Sequence, residues 1–137
     1  MMYMLDTNML IYAIRHPESL LNERLKQHLG RDLCISAITY GELEYGVCKS
    51  SRPAQNRLAL QRFLAGIRIL SLDARAAEHF GEIMAELEAG RQRIGDRDTL
   101  IAAHARSLGY PVVTHNTREF SRVRGLTVED WLAEILV

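Results

Sequence analysis

The sequence predicts an α/β fold in which a central, mostly parallel sheet is covered by helices on both faces. Short apolar segments of strand length alternate with segments of helical pattern along the 137 residues. The strand segments are almost continuously apolar, as expected when both faces of a sheet are buried. Polar residues directly follow several strands, and such sheets bind ligands at the carboxyl ends of their strands.

The first half of the chain contains three predicted strands, each followed by a helical segment. Asp6 or Thr7 caps the first helix, which Pro17 stops, and Ser36 caps the helix after the second strand. Gly30 closes the helix that precedes the second strand. The strands are predicted at 2–5, 33–35 and 67–70, and the remaining helices at 19–29 and 57–64.

The second half begins with a helix from Asp73 to about Ala89, followed by a loop. The next helix covers 96–108, with Asp96 as its expected N-cap and Gly109 at its end. The pattern then predicts a strand at 111–114, a short helix at 118–120 and a strand at 126–128. An apolar tail at 131–137 contains Trp131, Leu132, Ile135 and Leu136, which cover the core or meet a partner. With no repeat or linker, we expect one domain over 1–137.

The composition is that of an ordinary soluble protein, with 47% hydrophobic and 25% charged residues. The sequence shows neither a signal-peptide pattern nor an apolar stretch of membrane-spanning length, so we expect a cytoplasmic protein without a membrane partner. Cys34 and Cys48 match no metal-binding spacing, and we expect both to be buried, reduced thiols.

The net charge of zero does not by itself indicate a nucleic-acid partner, but the basic residues are unevenly distributed. Fifteen of the seventeen are arginines, whose planar guanidinium suits phosphate oxygens. Seven of them crowd one third of the chain: Arg91, Arg93, Arg97, Arg106, Arg118, Arg122 and Arg124. A solvated surface explains them equally well, so they decide nothing alone.

Several acids follow strands or begin helices at one predicted edge of the sheet. Asp6 follows the first strand, Glu42 shares a helix face with apolar or small residues, and Asp98 lies in a first helical turn. Taken singly, each has a structural explanation: Asp6 as a helix cap, Glu42 as a partly exposed residue at the edge of its helix face, and Asp98 as an acid favoured by the helix dipole. Together with Glu119, which follows the fourth strand, they would repel one another strongly. A divalent cation such as Mg²⁺ or Mn²⁺, which prefers carboxylate oxygens, is the usual reason for such crowding.

Four motifs resemble the VapC toxins, which belong to the PIN-domain ribonucleases. They are MLDTN at 4–8, ISAITYGELEYGV at 35–47, IGDRDTLIAAHA at 94–105 and VVTHNTREF at 112–120. The resemblance covers nearly the whole chain in the family's order and spacing. It implies a three-layer α/β/α sandwich, a metal-dependent endoribonuclease and a VapB-type antitoxin partner.

The resemblance also implies roles for individual residues. Asp6 matches the first catalytic acid, Glu42 the glutamate of the T-x-x-E-L pattern, and Asp98 the aspartate before the I-A-A run. The fourth acid is often an aspartate, and here Glu119 stands in that region, while Asp96 is an extra acid that could substitute or merely cap. Four further residues are implied as donors that orient the carboxylates: Asn8, Ser36, Thr39 and Asn116.

The implied reaction is hydrolysis of structured RNA by a metal-activated water, leaving a 5′-phosphate and a 3′-hydroxyl. Transfer RNA, and initiator tRNA first, is the implied substrate. Family members usually form homodimers, and the antitoxin's tail usually lies across the active-site groove. The alternative is a non-catalytic antitoxin-binding or corepressor module with a vestigial acidic site.

Two histidines near the predicted site leave a further alternative open. His104 is expected on a helix face and His115 in a turn near RNA, although either could serve as a metal ligand or acid. Two other protein classes with an aspartate at a strand end, receiver domains and aspartyl-phosphate phosphatases, also require a lysine late in the chain. The last lysine is Lys49, which argues against both.

Overall fold

Five parallel strands form one sheet in the computed structural model, which describes residues 1–132. The strands are β1 (Tyr3–Leu5), β2 (Leu33–Ser36), β3 (Arg68–Leu70), β4 (Val112–Val113) and β5 (Val128–Glu129). Their order is β3-β2-β1-β4-β5, and every described pair is parallel. Because the chain builds outward from β1 in both directions, the topology switches between β1 and β4. Ligands of open α/β sheets bind in the crevice at such a point.

Within residues 1–132, seven helices connect and cover these strands. They are α1 (Thr7–Arg15), α2 (Leu20–His28), α3 (Ala37–Cys48), α4 (Pro53–Phe63), α5 (Ala74–Ala89), α6 (Asp96–Leu108) and α7 (Thr117–Phe120). Four helices begin at a side chain that accepts a hydrogen bond from a backbone N–H of the first turn: Asp6, Ser19, Ser36 and Asp73. Gly109 ends α6 in the left-handed conformation, as predicted.

Two buried clusters, one on each face of the sheet, form the core. Side chains alternate along a strand, so Leu5 and Val113 face one side while Met4 and Val112 face the other. The first cluster packs the sheet against α1, α2, α3 and α4, and the second packs it against α5, α6 and α7. The predicted three-layer α/β/α arrangement is therefore confirmed.

The start of α4 and the cap of α6 differ from the prediction. Helix α4 begins at Pro53 rather than Arg57, because a proline at the first helical position needs no N–H partner and already has a helical φ. At the start of α6, Gly95 occupies the cap position without a side-chain bond, and Asp96 lies within the first turn. The expectation that Asp96 caps α6 was wrong.

The end of the described chain is held against the first layer of helices. Trp131 and Leu132 are 1% and 4% exposed, as expected of a tail that covers the core. The Trp131 ring stacks on His28 with centroids 4.9 Å apart, and the guanidinium of Arg24 lies 4.2 Å from its centroid. Ile135 and Leu136 of the predicted tail lie outside the described residues.

The two cysteines have different environments, which corrects the expectation that both are buried. Cys34 is fully buried in β2, and burial raises the pKa of its thiol to about 12. Cys48 is exposed at the end of α3. Because the thiolate is the reactive form, we expect a thiol reagent at pH 8 to label Cys48 quickly and Cys34 only after unfolding. Mass spectrometry of labelled peptides from native and urea-treated protein tests this, and rapid native labelling of Cys34 would contradict it.

Candidate active site

Asp6 lies at the switch point, where its side chain is held by the first turn of α1 and by the residue after β4. It follows β1 directly, and its Oδ1 accepts a hydrogen bond of 2.9 Å from the backbone N–H of Met9. Its Oδ2 accepts one of 2.6 Å from the hydroxyl of Thr114, the residue after β4. Since each carboxylate oxygen has a donor and the side chain is 3% exposed, the carboxyl group is fixed in one orientation.

Burial is the main influence on the ionisation of Asp6. It raises the pKa of this carboxyl to about 6, although the hydrogen bonds from Thr114 and Met9 lower it. The negative charges of Asp98 and Glu42 raise the pKa further. The three acids predicted from distant parts of the chain therefore lie within electrostatic reach of one another.

Glu42 enters the site from the middle of α3. Its Oε1 accepts a hydrogen bond of 2.6 Å from the hydroxyl of Thr7, which also lies 3.2 Å from the hydroxyl of Thr39. Its Oε2 lies 3.3 Å from Nε of Arg97 in an ion pair. Thr39 therefore contacts Thr7 and not a carboxylate, and its orienting role stays a prediction.

Asp98 and Glu119 complete the acidic group. Asp98 is half-buried, and burial raises its pKa, with further increases from the charges of Glu42 and Glu119 and a partial decrease from Arg97. Asp98 also lies in the first turn of α6, where the helix dipole favours a negative charge. Glu119, on α7, approaches the group from the side of β4.

The acids are close but do not form a ready-made metal cage. Within residues 1–132, no three His, Cys, Asp or Glu side chains converge as ligands around one point. The partners of Glu42 explain this, because its carboxylate is turned toward Thr7 and Arg97. Mg²⁺ usually binds one or two carboxylates and keeps several waters, so it does not need a closed protein cage. The oxygen-only donor set and the mutual repulsion of the acids fit such a cation.

Several predicted residues lie away from the acids. Asp96 is 70% exposed on its side chain and pairs with Arg93 at 2.9 Å, so it is not part of the acidic group. Ser36, expected to orient a carboxylate, instead receives a hydrogen bond from the backbone N–H of Ile38 and lies 2.8 Å from Nδ1 of His104. The hydroxyl of Ser36 does lie at a strand end, as predicted, but it contacts the start of α3 and His104 rather than a carboxylate.

The two predicted asparagines make no side-chain hydrogen bond to the acids among the described residues. Asn8 is exposed on the first turn of α1. Asn116 is half-buried at the start of α7, where its backbone N–H donates to Thr114. The structure therefore gives neither amide the expected contact with a carboxylate.

The two histidines have protein partners of their own. His104 is 2% exposed, and burial lowers the pKa of its imidazole. His115 is half-exposed, and its Nδ1 lies 2.9 Å from the carboxylate of Asp130. These contacts favour the helix-face and turn roles over metal ligation.

Thr7, Thr114 and Arg97 contact the acids directly but were not predicted to do so. Thr114 directly follows β4 and Thr7 is the second residue after β1, and at such positions a short hydroxyl side chain reaches the neighbouring strand end or helix. That position is the signal by which a sequence analysis could find them. Arg97 on α6 contacts Glu42 on α3, and nothing in the spacing of residues predicts this contact.

The crowded arginines divide into two groups. Arg106 has a side chain only 13% exposed and binds His79, Glu82 and the backbone of Arg124, so its role is structural. Arg122 is also partly buried, and its Nη1 donates to the backbone carbonyls of Gln92 and Arg93. The other five are exposed: Arg91, Arg93, Arg97, Arg118 and Arg124. Of these, Arg97 is next to Asp98 in sequence and in contact with Glu42.

Replacing Thr114 by valine tests how tightly Asp6 is held. We expect the free energy of unfolding to fall by about 1–3 kcal/mol, because a buried carboxylate oxygen loses its donor. Urea denaturation of the metal-free protein at pH 7.5 measures the change. The exposed Thr127, whose hydroxyl has no hydrogen bond within 1–132, provides the control substitution to valine. Equal stability of the two variants would contradict the role given to Thr114.

Sequence comparison relates this chain to a known family and to named relatives. The family profile for the PIN domain matches residues 3–126. The tRNA(fMet)-specific endonuclease VapC of Shigella flexneri is 45% identical over 129 residues, covering 94% of this chain and 97% of the relative. Ribonuclease VapC2 of Haemophilus influenzae is 44% identical over 130 residues, covering 95% and 98%.

Solved structures give the same relationship. VapBC2 from Rickettsia felis, bound to a DNA fragment from its promoter, matches with a TM-score of 0.90 and 37% identity over 96% of this chain and 99% of that one. DNA-bound VapBC from Salmonella typhimurium matches with a TM-score of 0.90 and 41% identity over 96% and 98%. Fold and sequence agree over nearly the full length of both.

Proposed function

We propose that this chain is a toxin that cuts RNA with a divalent metal ion. The premise is that the chain belongs to the PIN-domain family and, within it, to the VapC ribonucleases of VapBC toxin–antitoxin systems. The observation that supports the proposal is the electrostatic proximity of four carboxylates near the switch point between β1 and β4. Asp6, Glu42, Asp98 and Glu119 come from four separate elements, and three of them affect the ionisation of a neighbour.

Asp6 and Asp98 are the principal residues that would hold Mg²⁺ or Mn²⁺, with Glu42 and Glu119 completing the negative pocket. A cation bound there would activate water and neutralise charge on the phosphodiester. Thr114 orients Asp6 and Thr7 orients Glu42, so both carboxylates are held beside the proposed cation site. The products expected of such hydrolysis carry a 5′-phosphate and a 3′-hydroxyl.

We propose structured RNA as the substrate, with initiator tRNA as the first candidate. The name of the Shigella flexneri relative supports this choice. The exposed arginines at the start of α6 would contact the RNA backbone, since guanidinium groups bind phosphate oxygens well. A tRNA substrate also places the active protein in the cytoplasm.

We further propose that an antitoxin of the VapB type binds beside the acids. A groove of about 830 Å³ lies among α1, α2, α3 and α4, lined mainly by apolar side chains such as Ile14, Leu43 and Phe63. Glu42 is one of its lining residues, so a segment in this groove would reach the acidic site. The toxin itself is expected to be a homodimer, as family members usually are. No helix within residues 1–132 has the length and apolarity of a membrane span.

Incubating the purified chain with an initiator tRNA transcript tests the proposed function. We expect site-specific cleavage with Mg²⁺ or Mn²⁺, loss of cleavage with excess chelator, and recovery when the metal is restored. An elongator tRNA of equal length is the matched substrate control. A protein that binds the antitoxin but neither binds metal nor cuts RNA would support the non-catalytic alternative instead.

A further inference from the structure

Arg97 occupies a place where it does not stabilise its own helix. It is the second residue of α6, and a positive charge in a first helical turn is opposed by the helix dipole. Its side chain is 69% exposed, yet its Nε lies 3.3 Å from Oε2 of Glu42 on α3. The contact therefore serves the acidic group rather than the helix.

The ion pair between Arg97 and Glu42 can be broken at little cost in stability. Since Arg97 is exposed and its guanidinium makes one ion pair, at 3.3 Å, within residues 1–132, the pair contributes little to stability in solution. Glu42, whose side chain is 22% exposed, is held independently by the 2.6 Å hydrogen bond from Thr7. Losing Arg97 as a partner would thus leave the carboxylate in place with one oxygen available.

We propose that Arg97 is the counter-ion of the metal-free site, is displaced from Glu42 when a divalent cation binds, and then binds a phosphate of the RNA. This inference rests on the proposed function and adds a second role to the acidic site. A divalent cation attracts the carboxylates more strongly than an exposed guanidinium does. Because Arg97 directly precedes Asp98 in the chain, its released side chain stays beside the reaction site.

The two halves of the proposal predict opposite effects of one substitution. Arg97→Gln removes a competitor for Glu42, so Mn²⁺ affinity should rise about two- to fivefold, the factor expected of an exposed ion pair. The same change removes a phosphate contact, so RNA should bind about tenfold more weakly, with a salt slope lower by about 1. The melting temperature should not fall, because the helix loses an unfavourable charge.

Isothermal titration with Mn²⁺ alone measures the first effect without requiring activity. Arg93→Gln is the matched control, since Arg93 is an exposed arginine of the same region that pairs with Asp96 rather than Glu42. We expect its Mn²⁺ affinity to stay near the wild-type value. Arg97→Lys, which keeps the charge, should restore the wild-type Mn²⁺ affinity and part of the RNA binding.

Filter binding of an initiator tRNA transcript, with Ca²⁺ in place of Mn²⁺ and salt varied from about 50 to 200 mM, measures the second effect. Unchanged or weaker Mn²⁺ binding by Arg97→Gln, or undiminished RNA binding, overturns the proposal. A wild-type protein that neither binds nor cuts RNA overturns the proposed function instead. The Mn²⁺ titration still decides separately whether Arg97 competes with the cation.

Discussion

Replacing Asp6 by asparagine will abolish detectable RNA cleavage while the protein stays folded. The substitution removes a negative charge from the centre of the acidic group, and we expect a loss of at least about 10²–10³-fold, the range for deleting one electrostatic group from an active site. Asparagine retains an oxygen that can accept the hydrogen bond from the Met9 N–H, so the start of α1 should survive. Single-turnover cleavage assays and circular dichroism measure the two effects.

The stability of this variant has a predicted pH dependence. The pKa of Asp6 is raised from 3.8 to about 6 on folding, so its ionisation opposes folding as pH rises through that interval. In metal-free buffer at pH 7.5, Asp6→Asn should therefore be at least as stable as the wild type. This advantage should disappear below about pH 4, where the carboxyl is protonated in both states.

Asp96→Asn is the matched control for the activity measurement. Asp96 lies in the same first turn of α6 as Asp98, but its exposed carboxylate pairs with Arg93 outside the acidic group. We expect this variant to cleave at close to the wild-type rate. A large loss of activity on changing Asp96, or a melting transition lost together with activity on changing Asp6, would contradict the assignment.

Leu5→Ala, in contrast to Asp6→Asn, will cause a large loss of stability. Leu5 is fully buried in β1 and packs in the first core cluster with Met9 and Val113. Truncation should lower the free energy of unfolding by about 2–5 kcal/mol, because the close-packed layer cannot fill the cavity. Chemical denaturation monitored by Trp131 fluorescence measures the change.

The control for Leu5 is Leu58→Ala on α4. Leu58 is 48% exposed, and its removal should change the free energy of unfolding by less than about 0.5 kcal/mol. Similar losses for the two leucines would mean that the packing around β1 is looser than the structure indicates. The part of the Leu5→Ala protein that remains folded should still bind Mn²⁺.

The sequence was sufficient for the fold because its local signals agree with its tertiary packing. Asp6, Ser36 and Asp73 are helix caps, and the apolar runs around Leu5, Cys34 and Val112 are buried strands. Pro53 was overlooked as a helix start, although its ring favours that position. The exposure of Cys48 depends on the packing of α4 beside α3, which no local pattern contains.

The acidic group was less completely predictable. Asp6, Glu42, Asp98 and Glu119 follow strands or lie on helices at one edge of the sheet, so topology brings them together. Their partners depend on side-chain directions instead. Ser36 ends β2 and Thr114 directly follows β4, yet Ser36 meets His104 while Thr114 meets Asp6. The sequence alone does not distinguish these outcomes, since both hydroxyls follow the same pattern.

Titration of the metal-free protein with Mn²⁺ tests most directly whether the four acids act as one site. We predict saturable binding by the wild type, retained in Asp96→Asn and strongly weakened in Asp6→Asn and Asp98→Asn, with all three variants folded. Equal Mn²⁺ affinity in the wild type and both of the weakened variants would show that the ion binds elsewhere, and the absence of binding to the wild type would remove the basis of the proposed chemistry.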